Sequence, residues 1–190
     1  MRDLPNLLTL LRVLLIPLFL WLIFLSGVEN RVAWALLVFA AASFTDWLDG
    51  FLARKWQVIS DFGKIADPLA DKLLVLAALA ALTWLDPYRL FWLIFALIAL
   101  REVLITVLRE IRKKRGEIMP ADKLGKLKTV LQMTGIILAL AVWAWWPDVA
   151  ARPGTRIAAH AWFIAVTLLT WASGLNYLKP RQAISAKEAR

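Results

Sequence analysis

The 190-residue chain is 61% hydrophobic, has 11 Trp and no Cys, and carries a formal net charge of +9, with a mean hydropathy of +0.66 and a pI near 10.3. Soluble domains run at about 45–50% apolar residues, so this excess excludes an ordinary water-soluble globule and points to an integral membrane protein whose outer faces meet lipid. Zero Cys excludes disulfides and thiolate metal sites, and the basic charge is assigned to topology and anionic lipid, with no nucleic-acid partner, because basic loops beside apolar spans serve those ends.

A hydrocarbon core about 30 Å thick needs roughly 20 helical residues. Six stretches meet that length, at about 6–27, 31–54, 63–85, 89–112, 124–146 and 156–178. They predict an all-α bundle of six transmembrane helices as one catalytic domain over residues 1–178, with a cytoplasmic tail at 179–190. The breaks between them carry turn residues: Ser26-Gly27-Val28-Glu29-Asn30, Asp86-Pro87-Tyr88, Trp146-Pro147-Asp148 and Pro153-Gly154-Thr155. Charge divides by side. Arg54, Lys55 and Lys64 join segments two and three, and Arg109, Arg112, Lys113, Lys114, Arg115, Lys123, Lys126 and Lys128 surround the link from four to five. The opposite side has only Arg31, Arg89, Arg152 and Arg156. The positive-inside bias therefore places both termini, and the polar cavity described below, at the cytoplasmic face.

In chain order, segment one opens with Pro5 at a first-turn position and carries Asn6, Thr9 and Arg12 at i, i+3 and i+6. Arg12 interrupts the apolar run and no clear small-residue cleavage site follows, so the segment is kept as a membrane helix and not a secretory signal. Two readings stand for its polar residues: Asn6 caps the helix while Arg12 snorkels to the interface, or the group lines a cavity.

Segment two is apolar until Ser43 and then turns to Asp46, Asp49, Gly50, Ala53 and Arg54, which fall on one stripe of a 3.6-residue helix. Gly63, Asp67, Ala70 and Asp71 form a second stripe on segment three. Each stripe holds carboxylates and small residues, with one guanidinium, while the positions between are largely apolar; the polar faces therefore turn inward. Four carboxylates in so apolar a chain need a reason to stay ionised, because burying unpaired charge costs several kcal/mol per ion. Asp46 and Asp49 also sit toward the C-terminal end of their helix, where the macrodipole disfavours anions. A divalent cation resolves both conflicts. Oxygen-only ligands suit Mg²⁺ or Mn²⁺, and four carboxylates can clamp two ions about 3.5–4 Å apart. At Asp67-Pro68 a second possibility is open, in which Asp67 caps a helix that starts late.

The spacing D-x2-D-G-x2-A-R-x8-G-x3-D-x3-D over residues 46–71 resembles the signature of the CDP-alcohol phosphatidyltransferase family. Eight fixed letters at about one in twenty each make a chance match very improbable. The resemblance implies that Asp46, Asp49, Asp67 and Asp71 bind the two ions, with Asp71 also the catalytic base. Asp49, Gly50, Ala53, Arg54 and Gly63 would then flank the cytidine and diphosphate of a CDP-linked lipid. Pro-Asn-x2-Thr-x2-Arg in segment one is similar to the phosphatidylglycerophosphate synthase branch, which would put Asn6, Thr9 and Arg12 at the nucleotide end of the cavity.

Segment four carries Arg101, Glu102, Arg109 and Glu110. Ionisable residues inside a span point to function and usually face the bundle interior. Glu102 and Arg109, seven apart on one face, are expected either to pair with each other or to leave Arg101, Arg109 and Lys126 to hold an acceptor phosphate. Arg-Glu-x6-Arg-Glu followed by Gly125-Lys126-x-Lys128-Thr129-x2-Gln132-Met133 again resembles the phosphatidylglycerophosphate synthases, with Leu100 standing where Ser is expected. Segments five and six read as scaffold, His160 as a structural residue, and Trp143, Trp145 and Trp146 as an aromatic belt at the outer interface.

The resemblance implies CDP-diacylglycerol and glycerol 3-phosphate as substrates, a lipid bilayer as surroundings and a homodimer as assembly. Other acceptors (inositol phosphate, serine, or phosphatidylglycerol for cardiolipin) would use the same chemistry. An aspartate-rich prenyltransferase would need a different spacing and more spans, and a cation transporter would carry its charges near mid-membrane on interrupted helices.

Overall fold

A computed structural model describes residues 4–56, 61–115 and 123–178, with side chains over 10–46, 48, 69–112, 114–115 and 124–174. The described residues form helices joined by short turns, with no strand. Seven helices follow one another: α1 (Leu4–Leu20), α2 (Arg31–Trp56), α3 (Asp61–Trp84), α4 (Trp92–Lys114), α5 (Lys123–Trp145), α6 (Pro147–Ala150) and α7 (Pro153–Leu178). One of them, α6, is a single turn with Pro147 at its start, far too short to span a membrane, where the sequence suggested only a break. Pro153 likewise opens α7 three residues earlier than expected: a proline lacks an N–H that the first turn does not need.

α1 ends differently from the rest. Pro17 lies inside it and offers no N–H to the ladder; one turn later the bonding widens to i→i+5 over Trp21–Leu25, closed by the Ser26 N–H donating to the Trp21 carbonyl at 2.8 Å. Ser26 Oγ donates to the Leu22 carbonyl at 2.7 Å and seals the end. Asn30, in the left-handed region at φ 56°, turns the chain, and its carbonyl accepts the Ala33 and Trp34 N–H groups that open α2.

α3 is one helix from Asp61 and runs through Asp67 and Pro68 without a break. The reading of Asp67 as a cap on a late-starting helix is therefore corrected, and Gly63, Asp67 and Asp71 share a single helical frame.

α1 packs on α2 and α3, α5 on α7 and α2, and α4 on α7 and α3. Phe19 and Phe39, both fully buried, meet with ring centroids 6.1 Å apart. Ala35, Ala42, Ala78 and Ala81, also fully buried, let helices approach closely, as small residues do in membrane bundles. Gly135 serves the α5–α7 contact: a Cβ there would lie 2.3 Å from Trp162 Nε1, whose N–H reaches over α5 to the Leu131 carbonyl at 3.2 Å.

The α3–α4 connection is held from two sides. Tyr88, 3% exposed, donates its hydroxyl to the Ala139 carbonyl of α5 at 2.9 Å. Arg156 of α7 donates to the Pro87 carbonyl and pairs with Asp86 at 3.3 Å. Burial pushes the Tyr88 hydroxyl pKa up to about 12, because the phenolate loses more hydration than the phenol.

The outward faces are apolar. Leu14, Trp34, Leu37, Phe44, Leu69, Val103, Val130, Ile157 and Leu168 are all exposed, more apolar surface than a monomeric soluble protein carries. Leu124–Trp145 and Pro153–Gly174 are each long and apolar enough to cross a membrane. Exposed Trp84, Trp92, Trp145 and Trp146 gather where α3 and α5 end and α4 begins, the arrangement expected of an interfacial belt.

Candidate active site

The polar end of α2 begins with two hydroxyls turned back on their own helix: Ser43 Oγ donates to the Phe39 carbonyl and Thr45 Oγ1 to the Ala42 carbonyl, each at 2.8 Å. Asp46 is the next polar side chain, and it reaches α1. Its Oδ1 lies 3.0 Å from Arg12 Nη1. Arg12 is fully buried while the Asp46 side chain is 44% exposed. The snorkelling alternative for Arg12 is thus corrected. Its guanidinium turns inward, because a buried cation without a carboxylate would cost several kcal/mol.

Asp71 faces this pair from α3, partly buried, within electrostatic range of Asp46, Arg12, Glu102 and Lys72. Asp46 stands ten residues before the end of α2 and Asp71 ten residues after the start of α3. At 1.5 Å per residue both lie about 15 Å from the helix ends that face each other across the short link.

Asp49, Gly50, Ala53 and Arg54 are carried by α2, Gly63 and Asp67 by α3, and Asn6 and Thr9 by α1; their side chains lie outside the described residues. Among the described residues no group of three or more carboxylate, imidazole or thiol side chains gathers. The residues nonetheless fit a divalent cation. The described donors Asp46 and Asp71 are carboxylates that repel each other, Arg12 lies within electrostatic range of both, and the unbroken helices keep Asp46 with Asp49 and Asp67 with Asp71 on single faces. Two cavities among the described residues lie elsewhere, one of about 400 Å³ near Asn30 and Trp143, the other an apolar groove of about 460 Å³ between α1 and α2. Neither is lined by Asp46 or Asp71.

The CDP-alcohol phosphatidyltransferase family model matches residues 2–173. The chain belongs to this family. Among its relatives, the CDP-diacylglycerol–glycerol-3-phosphate 3-phosphatidyltransferases of Escherichia coli strain K12 and of Shigella flexneri serotype 5b are each 37% identical to it over 185 residues, covering 95% of this chain and 96% of theirs. As a CDP-alcohol phosphatidyltransferase it is an enzyme of a family that generally depends on a divalent metal.

Other charged side chains on α3, α4 and α5 also make contacts. Glu102 of α4 does not form the ladder with Arg109 considered above; its Oε1 accepts from Lys128 of α5 and, at 3.2 Å, from Arg101 Nη1. Arg101, 5% exposed, spends its other described donors on α7, to the Thr170 carbonyl at 3.1 Å and Ser173 Oγ at 2.8 Å. It ties α4 to α7, whereas Arg109 and Lys126 are exposed. Lys72, the residue after Asp71, donates to Thr106 Oγ1, which itself donates to the Glu102 carbonyl at 2.6 Å. Lys72 and Thr106 were not expected from sequence. The available signal was the charge of Lys72 beside a motif aspartate and a hydroxyl one helical turn beyond Glu102. His160 bonds the Arg156 carbonyl at 2.8 Å through Nδ1, a structural contact within α7.

Proposed function

We propose that the enzyme transfers the phosphatidyl group of CDP-diacylglycerol to sn-glycerol 3-phosphate, giving phosphatidylglycerophosphate and CMP. The observation that carries the reading is the likeness, over nearly the whole chain, to relatives of that name, joined to a pair of opposed carboxylates on α2 and α3 with a buried guanidinium beside them.

In this reading Asp46, Asp49, Asp67 and Asp71 hold the divalent cations, two of Mg²⁺ or Mn²⁺. When bound they would neutralise the diphosphate and polarise the phosphorus under attack. Arg12 holds Asp46 in place and offsets its charge. Asn6, Thr9, Gly50, Ala53, Arg54 and Gly63 receive the cytidine and diphosphate. Asp71 takes the proton of the acceptor hydroxyl as its oxygen bonds to the phosphatidyl phosphorus and the bond from that phosphorus to the CMP oxygen breaks. CMP leaves as a phosphate monoester with a second pKa near 6 and needs no general acid. Arg109 and Lys126, both exposed, draw in the acceptor phosphate, and Arg101 supports them by fixing α4 against α7.

The protein would lie in the membrane as six spans, with the site and both termini on the cytoplasmic, basic side, its polar cavity open there, and a homodimer as the working assembly. The tail 179–190 lies outside the described residues. The test is product identification: purified protein in mixed micelles is given CDP-diacylglycerol with glycerol 3-phosphate, serine, inositol phosphate or phosphatidylglycerol in turn. Phosphatidylglycerophosphate formed from the first well above the other products is the expected result; no gain over background with glycerol 3-phosphate would remove this acceptor.

A further inference from the structure

Among the described residues, Arg12 is the only charged side chain that is fully buried. The fold gives it no way out. Ile16 and Phe19, at i+4 and i+7 on the same face of α1, are buried with it, while its neighbours Leu11 and Val13 are exposed. The rotation of α1 that packs the core therefore also keeps the guanidinium inside. Nor can Arg12 shed its charge, because an arginine in a protein stays protonated.

Its surroundings are the carboxylates assigned to the divalent cation. α1 packs on both α2 and α3. From α2, Asp46 Oδ1 stands 3.0 Å from Arg12 Nη1, and from α3 Asp71 lies within electrostatic range of the same guanidinium. Lys72, the other cation within range of Asp71, is less buried and donates to Thr106 of α4. Asp46 and Asp71 are thus already served by a cation of their own chain. A metal ion brought to Asp46 gains the carboxylate but also meets the Arg12 charge, and in a poorly screened interior that repulsion takes back part of the gain.

We propose that Arg12 is the built-in counter-cation of the aspartate site, in competition with the divalent ion for Asp46. It keeps the bundle together when no ion is bound, and it holds the affinity for the ion below what the carboxylates alone would give. This rests on the assignment of Asp46 and Asp71 to the cation and adds the residue that sets how tightly the cation is held. A guanidinium that only oriented Asp46 as a ligand would have the opposite effect when removed, so the two roles separate by sign.

The test is direct Mn²⁺ binding to the full chain in an uncharged detergent, with free Mn²⁺ followed by its electron paramagnetic resonance signal and no substrate present. Arg12→Met is expected to tighten Mn²⁺ binding about tenfold, since a nearby buried positive charge is lost. Arg12→Lys keeps the charge and should stay within about threefold of the wild-type Kd. Arg12→Gln, which leaves a polar head for Asp46, should tighten binding as methionine does and serves in its place if the methionine variant does not fold. The rise in Tm on adding saturating Mn²⁺ to chelator-treated protein should likewise be larger in the neutral variants than in the wild type. Weaker or unchanged Mn²⁺ binding in the neutral variants, or equal tightening in Arg12→Lys, would overturn the inference. Mn²⁺ binding that is the same in Asp71→Asn as in the wild type would instead count against the cation assignment itself.

Discussion

The Arg12–Asp46 pair makes an asymmetric prediction. Arg12 is fully buried and Asp46 is 44% exposed, with 3.0 Å between Nη1 and Oδ1. Removing one member of a buried pair costs about 3–5 kcal/mol when the partner is left as an uncompensated buried charge. Asp46→Asn takes the 3.0 Å carboxylate from the buried Arg12 and leaves Asp71 within its electrostatic range, and is expected to cost about 2–4 kcal/mol. Arg12→Met leaves Asp46, a half-solvated carboxylate that water can screen, and replaces a buried cation by an apolar group of similar length; about 1 kcal/mol or less is expected. At about 2–4 °C per kcal/mol for a chain of this size, Tm should fall by roughly 4–16 °C for the first and by about 4 °C or less for the second. The assay is thermal unfolding in one detergent with a chelator present, so that cation binding does not enter. If Arg12→Met is the more damaging substitution, or the two are equal, the pair does not carry the burden assigned to it.

Gly135→Ala sets a methyl group 2.3 Å from Trp162 Nε1, so the indole must shift and give up its bond to Leu131; a loss of about 1–3 kcal/mol from overpacking is expected, with a red-shifted tryptophan emission, and wild-type stability would contradict the close α5–α7 contact. Tyr88→Phe removes the bond to the Ala139 carbonyl and should cost about 1 kcal/mol near neutral pH. Because the folded hydroxyl titrates at about 12 and an unfolded tyrosine at about 10, Tyr88 contributes stability that is full below pH 10 and disappears as the pH rises toward 12. The phenylalanine variant should lose that part of the alkaline decline, and an identical decline in both proteins would refute the assignment. Mn²⁺ at about a hundred times its Kd should stabilise the wild-type protein by about 2.7 kcal/mol; the gain should be smaller in Asp71→Asn, and an equal gain would place the ion elsewhere.

The sequence reading and the fold agree where a strong period meets a strong composition. The helices follow from apolar runs long enough to span a bilayer, and the Asp stripes of α2 and α3 follow from 3.6-residue spacing, which is local and needs no knowledge of neighbours. What the sequence could not supply was which charges meet across helices. Glu102 and Arg109 share a face of α4, yet Glu102 turns to Lys128 of α5, a contact set by packing and not by period. Arg12 looked equally able to snorkel or to turn inward; the opposing carboxylate on α2 decides it. The helix start at Asp61 was obscured by Asp67-Pro68, whose local preference for a helix N-terminus yields to the tertiary frame. The turn at Pro147 is short enough that proline and aspartate read as a simple break.

The most direct test is CMP release from CDP-diacylglycerol in the presence of glycerol 3-phosphate, followed as Mg²⁺ or Mn²⁺ is titrated into chelator-treated enzyme, with Asp71→Asn measured alongside. Release that rises from background with added cation, and stays near background in the variant at every concentration, is the expected outcome. Full turnover without divalent cation, or in Asp71→Asn, would contradict the assignment of the α2 and α3 aspartates to the chemistry.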